Sequence, residues 1–236
     1  MKTISIHRNR KLLATLSCLC VFVASSAWAT VVTWNLNPDG LEGPINSPSY
    51  TFVSSGYSIT ANGYTAGSPN TPLGLYFKSQ GVGETGLGVI GPDDHELQGN
   101  GASPVQFIQF DVGSIIAQGF TDGMLQVGSV QADSNDQFVI YGSSTAGTLG
   151  TQIGGAYDSS SDLQFVSIAN FTSYNFISIG AISGDVLPVA FQASLTPVPE
   201  MSALFPIIGL VAAVSVTQIL RRRKIARDEA NSPALS

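Results

Sequence analysis

The residues best suited to chemistry lie in one short segment, 83–97. This segment holds four acids and the single histidine found between residues 30 and 200. These residues are Glu84, Asp93, Asp94, His95 and Glu96. Calcium binds six to eight oxygen ligands from carboxylates and loop carbonyls, and the glycines around Pro92 predict one loop or a pair of loops here. The first interpretation of this segment is therefore a solvated acidic loop, and a calcium site formed by these residues is the alternative.

Other metals and covalent chemistry have fewer suitable residues. Both cysteines, Cys18 and Cys20, precede residue 30, so the rest of the chain offers no thiolate for zinc, for a disulfide or for a nucleophile. A glycosidase needs two carboxylates across a cleft, and Glu84 with Glu96 is a candidate pair. A serine triad would have to use His95, and no Gly-x-Ser-x-Gly elbow is present. The chain is predicted not to be an enzyme.

Two further features could support binding. The segment 133–136, Asp-Ser-Asn-Asp, is predicted as a hairpin loop with Asx turns, with calcium binding as the alternative.

Tyrosine and tryptophan rings could stack on sugars, and core or cross-strand packing is the alternative for each. The candidates are Trp34, Tyr57, Tyr64, Tyr76 and Tyr157.

The elements that must position these residues are predicted to be strands. Apolar and β-branched runs recur between turn glycines over residues 30–196, without long helical periodicity. About ten short strands at this spacing indicate a single all-β domain, a β-sandwich or jelly roll, with a barrel as the alternative. The predicted strands are 31–36, 50–53, 57–61, 73–78, 105–112, 124–130, 138–141, 163–168, 176–182 and 189–195.

Charge is distributed very unevenly along the chain. Of ten Lys and Arg residues, only Lys78 lies within residues 30–200, which also contain fourteen acids and so carry a net charge of −13. A nucleic-acid binder needs clustered Lys and Arg to neutralise phosphates. This composition excludes nucleic acid as a partner.

The N-terminal segment, 1–29, is predicted to be a signal peptide. A basic stretch, 1–11, precedes an apolar run, 12–24, and a small-residue site in which Ala27 and Ala29 hold the two specificity positions. Signal peptidase would then cleave after Ala29. An uncleaved membrane anchor is the alternative.

The C-terminal segment contains an apolar run, 201–220, predicted to be one transmembrane helix. A helix of this length spans roughly 30 Å, the thickness of the hydrocarbon core. Arg221, Arg222 and Arg223 follow at once, so the positive-inside rule predicts a cytoplasmic tail over 225–236.

Val198, Pro199 and Glu200 stand just before this run, and the whole segment 197–224 resembles the PEP-CTERM sorting signal of Gram-negative bacteria. The order of a short Pro-Glu motif, an apolar helix and an arginine cluster carries the resemblance; Met201 departs from it, since the family usually has a second proline there. The resemblance implies processing by exosortase, a membrane protease-transferase, with a transient membrane stage. It also implies delivery to the cell surface or extracellular matrix.

These observations lead to three hypotheses about function. The first is an exported cell-surface or extracellular-matrix protein with a structural or adhesive role. The alternative is a calcium-assisted carbohydrate-binding module with extracellular polysaccharide as its partner. The second alternative is a secreted polysaccharide hydrolase.

Overall fold

The computed structural model describes residues 29–81, 83–195 and 201–230, with the side chains of the last segment described over 208–227. The predicted signal peptide up to residue 28, including Ala27, lies outside the described residues, as do Val198, Pro199, Glu200 and the tail beyond Ala230. Residues 29–195 belong to one compact unit, here called the β-domain. The C-terminal helix belongs to another unit and is described by itself.

Over its described residues, 29–81 and 83–195, the β-domain contains fifteen strands and one short α-helix. The strands are β1 (Thr30–Asn35), β2 (Gly43–Pro44), β3 (Ser49–Ser54), β4 (Tyr57–Thr65), β5 (Thr71–Leu73), β6 (Leu75–Ser79), β7 (Thr85–Val89), β8 (Leu97–Gln98), β9 (Gln106–Asp111), β10 (Phe120–Gly128), β11 (Gln137–Ser143), β12 (Thr151–Tyr157), β13 (Phe165–Ile168), β14 (Phe176–Ser183) and β15 (Asp185–Leu195). The helix α1 (Gly113–Ala117) connects β9 to β10, and two 3-10 turns lie at Ser159–Ser161 and Phe171–Ser173.

The strands form three antiparallel sheets. The first has the order β1-β15-β10-β13, with β8 also paired to β15. The second has the order β12-β11-β14-β9-β4-β3, with β5 also paired to β4, and the small third sheet is β2-β6-β7. From β9 onward the chain passes repeatedly between the first and second sheets, so most pairings join strands that are distant in sequence.

Aromatic side chains fill the space between the two large sheets. Phe110 of the second sheet contacts Phe191 of the first, with ring centroids 5.4 Å apart. The buried Trp34 on β1 donates from Nε1 to the carbonyl of Tyr57 on β4 at 3.0 Å. Burial of large apolar rings is the main favourable term for such a core. The all-β prediction is confirmed, and the two layers form a sandwich.

Several predicted strands are confirmed, and the residue patterns that predict them lie within the strands and their turns. The predicted hairpin around 54–56 is formed by β3 and β4, and its turn residues Ser55 and Gly56 have φ of 52° and 82°. Positive φ at both positions is typical of the tight turns that match strand twist. The run 105–112, apolar on both faces, is the buried strand β9, which lies between β14 and β4.

The segment 83–97 is not only loop, and this part of the prediction is wrong. It contains the strand β7, in which Gly86 and Gly88 allow close backbone contacts instead of turns. A Cβ on Gly86 would lie 2.4 Å from the carbonyl oxygen of Pro188, and a Cβ on Gly88 would lie 1.8 Å from that of His95. Glycine in a strand often marks such an approach. The strands β2, β8 and β12 were likewise not predicted.

The predicted strand 73–78 covers most of β6 and only the last residue of β5, and these two strands belong to different sheets. The chain changes sheet at Gly74, where a Cβ would lie 2.7 Å from the side chain of Ile90. A larger residue here would require the Ile90 side chain to move, so the position of this interruption depends on packing that hydrophobic pattern alone does not reveal.

The C-terminal helix, α2 (Met201–Ala230), is longer than the predicted span 201–220 and includes the basic cluster 221–224. Among the described residues, no helix is long and apolar enough to cross a membrane. Every stretch of about 18 residues within 208–227 takes in that basic cluster, and a span needs such a stretch to be nearly free of charge. The described part of the chain therefore does not bear out the predicted transmembrane helix.

The packing of β7 can be tested at its glycines. We expect Gly88→Ala to lower the free energy of unfolding by about 2–3 kcal/mol, because the new methyl group overlaps a backbone carbonyl. Gly155→Ala on β12 is the matched control, since nothing lies within 4 Å of the added Cβ and φ is not positive. Urea unfolding measures both, and equal stability of the two variants would contradict the close approach.

Candidate metal centre

A cluster of carboxylates lies where the β7–β8 connection meets the start of β15. Asp94 and Glu96 belong to that connection, which turns sharply: His95 has φ of 63° and its N–H donates to the carbonyl of Pro92 at 3.1 Å. The pairing of β8 with β15 places Gln98 opposite Asp185. The turn and this pairing together bring Asp94 and Glu96 beside the first residue of β15.

One carboxylate oxygen from each of Asp94, Glu96 and Asp185 lies within 4.8 Å of the other two. We call these three residues the acid triad. A cation with oxygen ligands at 2.3–2.6 Å holds ligand atoms at mutual distances up to about 5 Å, so the triad can converge on one ion. Without a cation, the three like charges repel one another.

Lys78 on β6 partly neutralises the cluster. Its Nζ forms a buried hydrogen-bonded ion pair with Oε1 of Glu96, and it lies 3.6 Å from Oε2 of Glu84. This is the single Lys or Arg between residues 30 and 200. One amine therefore faces several carboxylates, and the cluster keeps a large negative charge.

The second carboxylate oxygen of Glu96, Oε2, lacks the ion-pair partner that Oε1 has in Lys78. Both Glu96 and Asp136 are 1% exposed, and Oε2 of Glu96 and Oδ1 of Asp136 have no hydrogen-bond partner of regular geometry among the described residues. A buried acceptor without a donor costs about 1–3 kcal/mol. A cation or a buried water molecule would satisfy such oxygens.

Asp136 approaches the cluster from the loop between β10 and β11. Its Oδ2 accepts a hydrogen bond from the Gln131 N–H at 2.8 Å, which fixes the carboxylate. A Cβ on Gly184 would lie 1.8 Å from Oδ1 of Asp136. The glycine before Asp185 therefore lets this buried oxygen reach the edge of the cluster.

The pKa values reflect burial and crowding of charge. Burial, the charges of Glu96 and Asp94, a hydrogen bond with Asp94 and the charge of Asp136 together raise the pKa of Asp185 to about 7. Burial also raises the pKa of Glu96, with Asp94 adding to this effect, although Lys78 and the nearby Ser129 act in the opposite direction. Burial alone would lower the pKa of Lys78, but the hydrogen bond to Glu96 and the surrounding carboxylates raise it above its ordinary value.

The structure brings together only some of the predicted metal residues. Asp94 and Glu96 are in the acid triad, whereas Glu84 reaches the cluster through Lys78. Asp93 is exposed to solvent. His95 stacks on Tyr76, with ring centroids 3.7 Å apart, and is not part of the triad.

Sequence reasoning missed Asp185 and the burial of Asp136. Asp185 follows a Ser-Gly pair, which signals a turn at the start of β15 but not a ligand. Asp136 was predicted within the 133–136 loop, where only its burial distinguishes it from the exposed Asp133.

The aromatic residues considered for sugar stacking mostly make internal contacts. Trp34 is buried in the core, so its prediction as a sugar platform is wrong. The packing alternative holds for three tyrosines. Tyr57 contacts Phe120 at 4.9 Å, Tyr64 stacks on Phe107 at 5.1 Å and Tyr157 stacks on Phe138 at 5.0 Å.

Comparison with known proteins adds no candidate chemistry. A scan against protein-family models found no match, and a search of curated proteins found no similar sequence. The choice of metal is therefore argued from the ligand atoms of the acid triad alone. All the converging ligand atoms are carboxylate oxygens, which suits a hard divalent cation and not a thiolate- or imidazole-binding metal.

The raised pKa of Asp185 predicts how stability depends on pH without metal. The folded state binds this proton more tightly than the unfolded chain, because the pKa rises from its ordinary value of 3.8 to about 7. In EDTA, the free energy of unfolding should therefore fall as pH rises from about 4 to about 7 and then level off.

Urea unfolding between pH 5 and pH 8 measures this dependence. Asp185→Asn should reduce the fall, while the exposed Asp133→Asn should leave it intact. An unchanged fall in Asp185→Asn would show that this carboxyl does not titrate as described.

Proposed function

We propose that this chain is an exported β-sandwich protein that binds calcium at the acid triad and acts in extracellular structural or adhesive contact. The observation that carries the proposal is the convergence of Asp94, Glu96 and Asp185 together with the buried, unpartnered Oε2 of Glu96. An acidic surface loop would place its carboxylates in water and apart from one another. This cluster instead brings the half-buried Asp94 and Asp185 together beside the buried Glu96.

Calcium fits the donor set better than other common cations. Magnesium requires a near-ideal octahedron at 2.0–2.1 Å and releases its water reluctantly, whereas calcium accepts six to eight oxygens in irregular arrangements. The triad comes from two separate segments, and loop carbonyls and water can complete such a shell. Affinities of about 10⁻⁴–10⁻³ M are typical of extracellular calcium modules.

Glu96 would bridge Lys78 and the ion. Its Oε1 is bound to Lys78, and Oε2, on a carboxylate that also lies near Ser129, would bind the cation. Lys78 then remains on the Glu84 side, and the ion occupies the side of Asp94 and Asp185. This division of one carboxylate between two cations removes the unsatisfied acceptor without breaking the buried ion pair.

A bound ion would also join separate parts of the fold. Asp94 and Glu96 follow β7 of the third sheet, and Asp185 begins β15 of the first sheet. Calcium would therefore fasten the third sheet to the sandwich. Such a protein gains stability where calcium is plentiful, as it is outside the cell.

Export and sorting are supported by the sequence. The signal-peptide pattern ending at Ala29 and the PEP-CTERM-like order of residues 197–224 indicate delivery to the cell surface or extracellular matrix. The repeated passage of the chain between two sheets is compatible with a jelly roll, a scaffold common in extracellular modules.

Calcium-assisted carbohydrate binding is a second candidate, favoured by one contact. Tyr76 stacks on His95, which lies between Asp94 and Glu96, and the Tyr76 hydroxyl donates to Oε1 of Glu42 at 2.8 Å. A partly exposed ring held beside a calcium site is an arrangement that can stack on a sugar.

Calorimetric titration of the full chain with calcium chloride tests the proposal. The wild-type protein should bind one calcium ion with a dissociation constant of about 10⁻⁴–10⁻³ M. Asp185→Asn should weaken binding at least tenfold, because it removes a ligand charge from the triad. Asp93→Asn is the matched control, one residue from the triad and exposed, and should bind as wild type. Equal binding by both variants would refute the site.

Sorting is tested separately by mass spectrometry of surface and extracellular material from the producing bacterium. We expect a mature chain that begins at Thr30 and ends near Glu200. Recovery of peptides from residues 225–236 in that material would contradict processing by an exosortase-type enzyme.

A further inference from the structure

Two neighbouring edge strands leave one side of the sandwich unpaired. Among the described residues, β1 pairs only with β15 and β3 pairs only with β4. Both ladders run through six residue pairs without a register shift. We call β1 and β3 together the open edge.

The backbone of β1 directs hydrogen-bonding groups away from the sheet. Leu36, which continues β1, donates its N–H to the carbonyl of Val189 at 2.9 Å. Because these groups alternate along an antiparallel strand, Val31, Thr33 and Asn35 direct theirs outward. Three consecutive outward positions form a template for another strand.

The side chains of the open edge are uncharged and partly apolar. Val31 is 53% exposed and Val53 is 71% exposed. A groove of about 360 Å³ separates the strands, lined by Thr33, Asn35, Pro38 and Tyr50 among others. Neither strand carries an acid, although residues 30–200 contain fourteen.

Other edges of the large sheets carry features that discourage pairing. β12 has a shifted register with β11 and a glycine, Gly154, at φ of 77°. β13 has four residues, and β5 has three, including Pro72. Short strands, bulges and proline are the usual protections of an edge. The strand β1 has none of them.

We propose that β1 pairs antiparallel with β1 of a second copy of this chain, about a two-fold axis near Thr33. Thr33 is the middle of the three outward positions, so this axis places Val31 opposite Asn35 of the second copy and satisfies all of their outward groups. The same strand serves both copies, as a two-fold interface requires.

The distribution of charge favours contact between two copies at the open edge over contact between their acidic surfaces. Two β-domains of strongly negative charge repel one another where their acids meet, and the open edge presents none. A sugar is a poorer occupant, since Trp34 and Phe52 beside the groove are buried and the half-buried Tyr50 packs against Phe52 and Phe77. The inference is independent of the proposed calcium site, because no residue of the acid triad lies on β1 or β3.

Sedimentation equilibrium of the full chain in density-matched detergent with EDTA tests the inference. The wild type should form a dimer with a dissociation constant of about 10⁻⁵–10⁻⁴ M, as expected of a small interface. Thr33→Pro should weaken the dimer at least tenfold, because it removes an outward N–H. An edge strand tolerates this change.

Two further variants keep the outcome decisive. Val31→Lys places a charge at the interface and should also weaken the dimer at least tenfold. This variant tests the interface even if Thr33→Pro fails to fold. Gln152→Lys on the β12 edge is the matched control and should dimerise as wild type. A wild type that stays monomeric to about 10⁻³ M, or a dimer that persists equally in Val31→Lys, would overturn the inference.

Discussion

The buried ion pair between Lys78 and Glu96 is the interaction on which the candidate site depends. Burying one of these charges without the other would be strongly unfavourable, so the pair fixes β6 against the β7–β8 connection. Its position also determines the chemistry of the cluster, because it satisfies only one oxygen of Glu96. The other oxygen, Asp94 and Asp185 are left as an arrangement that one divalent cation would complete.

The fold makes this arrangement possible by combining close backbone contacts with long-range pairing. Gly88 on β7 leaves room for the carbonyl of His95, and so the turn that carries Asp94 and Glu96 lies directly on the strand. The pairing of β8 with β15 then brings Asp185 from almost ninety residues away. A cation at this junction would connect the third sheet with the sandwich and so stabilise a strongly acidic domain.

The sequence predicts those features whose signals are local. The β3–β4 hairpin has a turn signal between two alternating runs, and β9 is apolar on both faces, so both could be recognised directly. The acids of the segment 83–97 are visible in the sequence, and two of them, Asp94 and Glu96, converge with Asp185. The strand β7 is not visible there, since its glycines serve packing against β15 and the following turn. Asp185 could not be found because ligand convergence depends on strand register between distant segments, which no local pattern contains.

The most direct test of the account is a crystal structure of the protein grown in calcium chloride. The account predicts a calcium ion bound by Asp94, by Oε2 of Glu96 and by Asp185 at 2.3–2.6 Å, with Lys78 still paired to Oε1 of Glu96. Carboxylates that lie apart in solvent with no ion between them, at calcium concentrations well above 10⁻³ M, would contradict it.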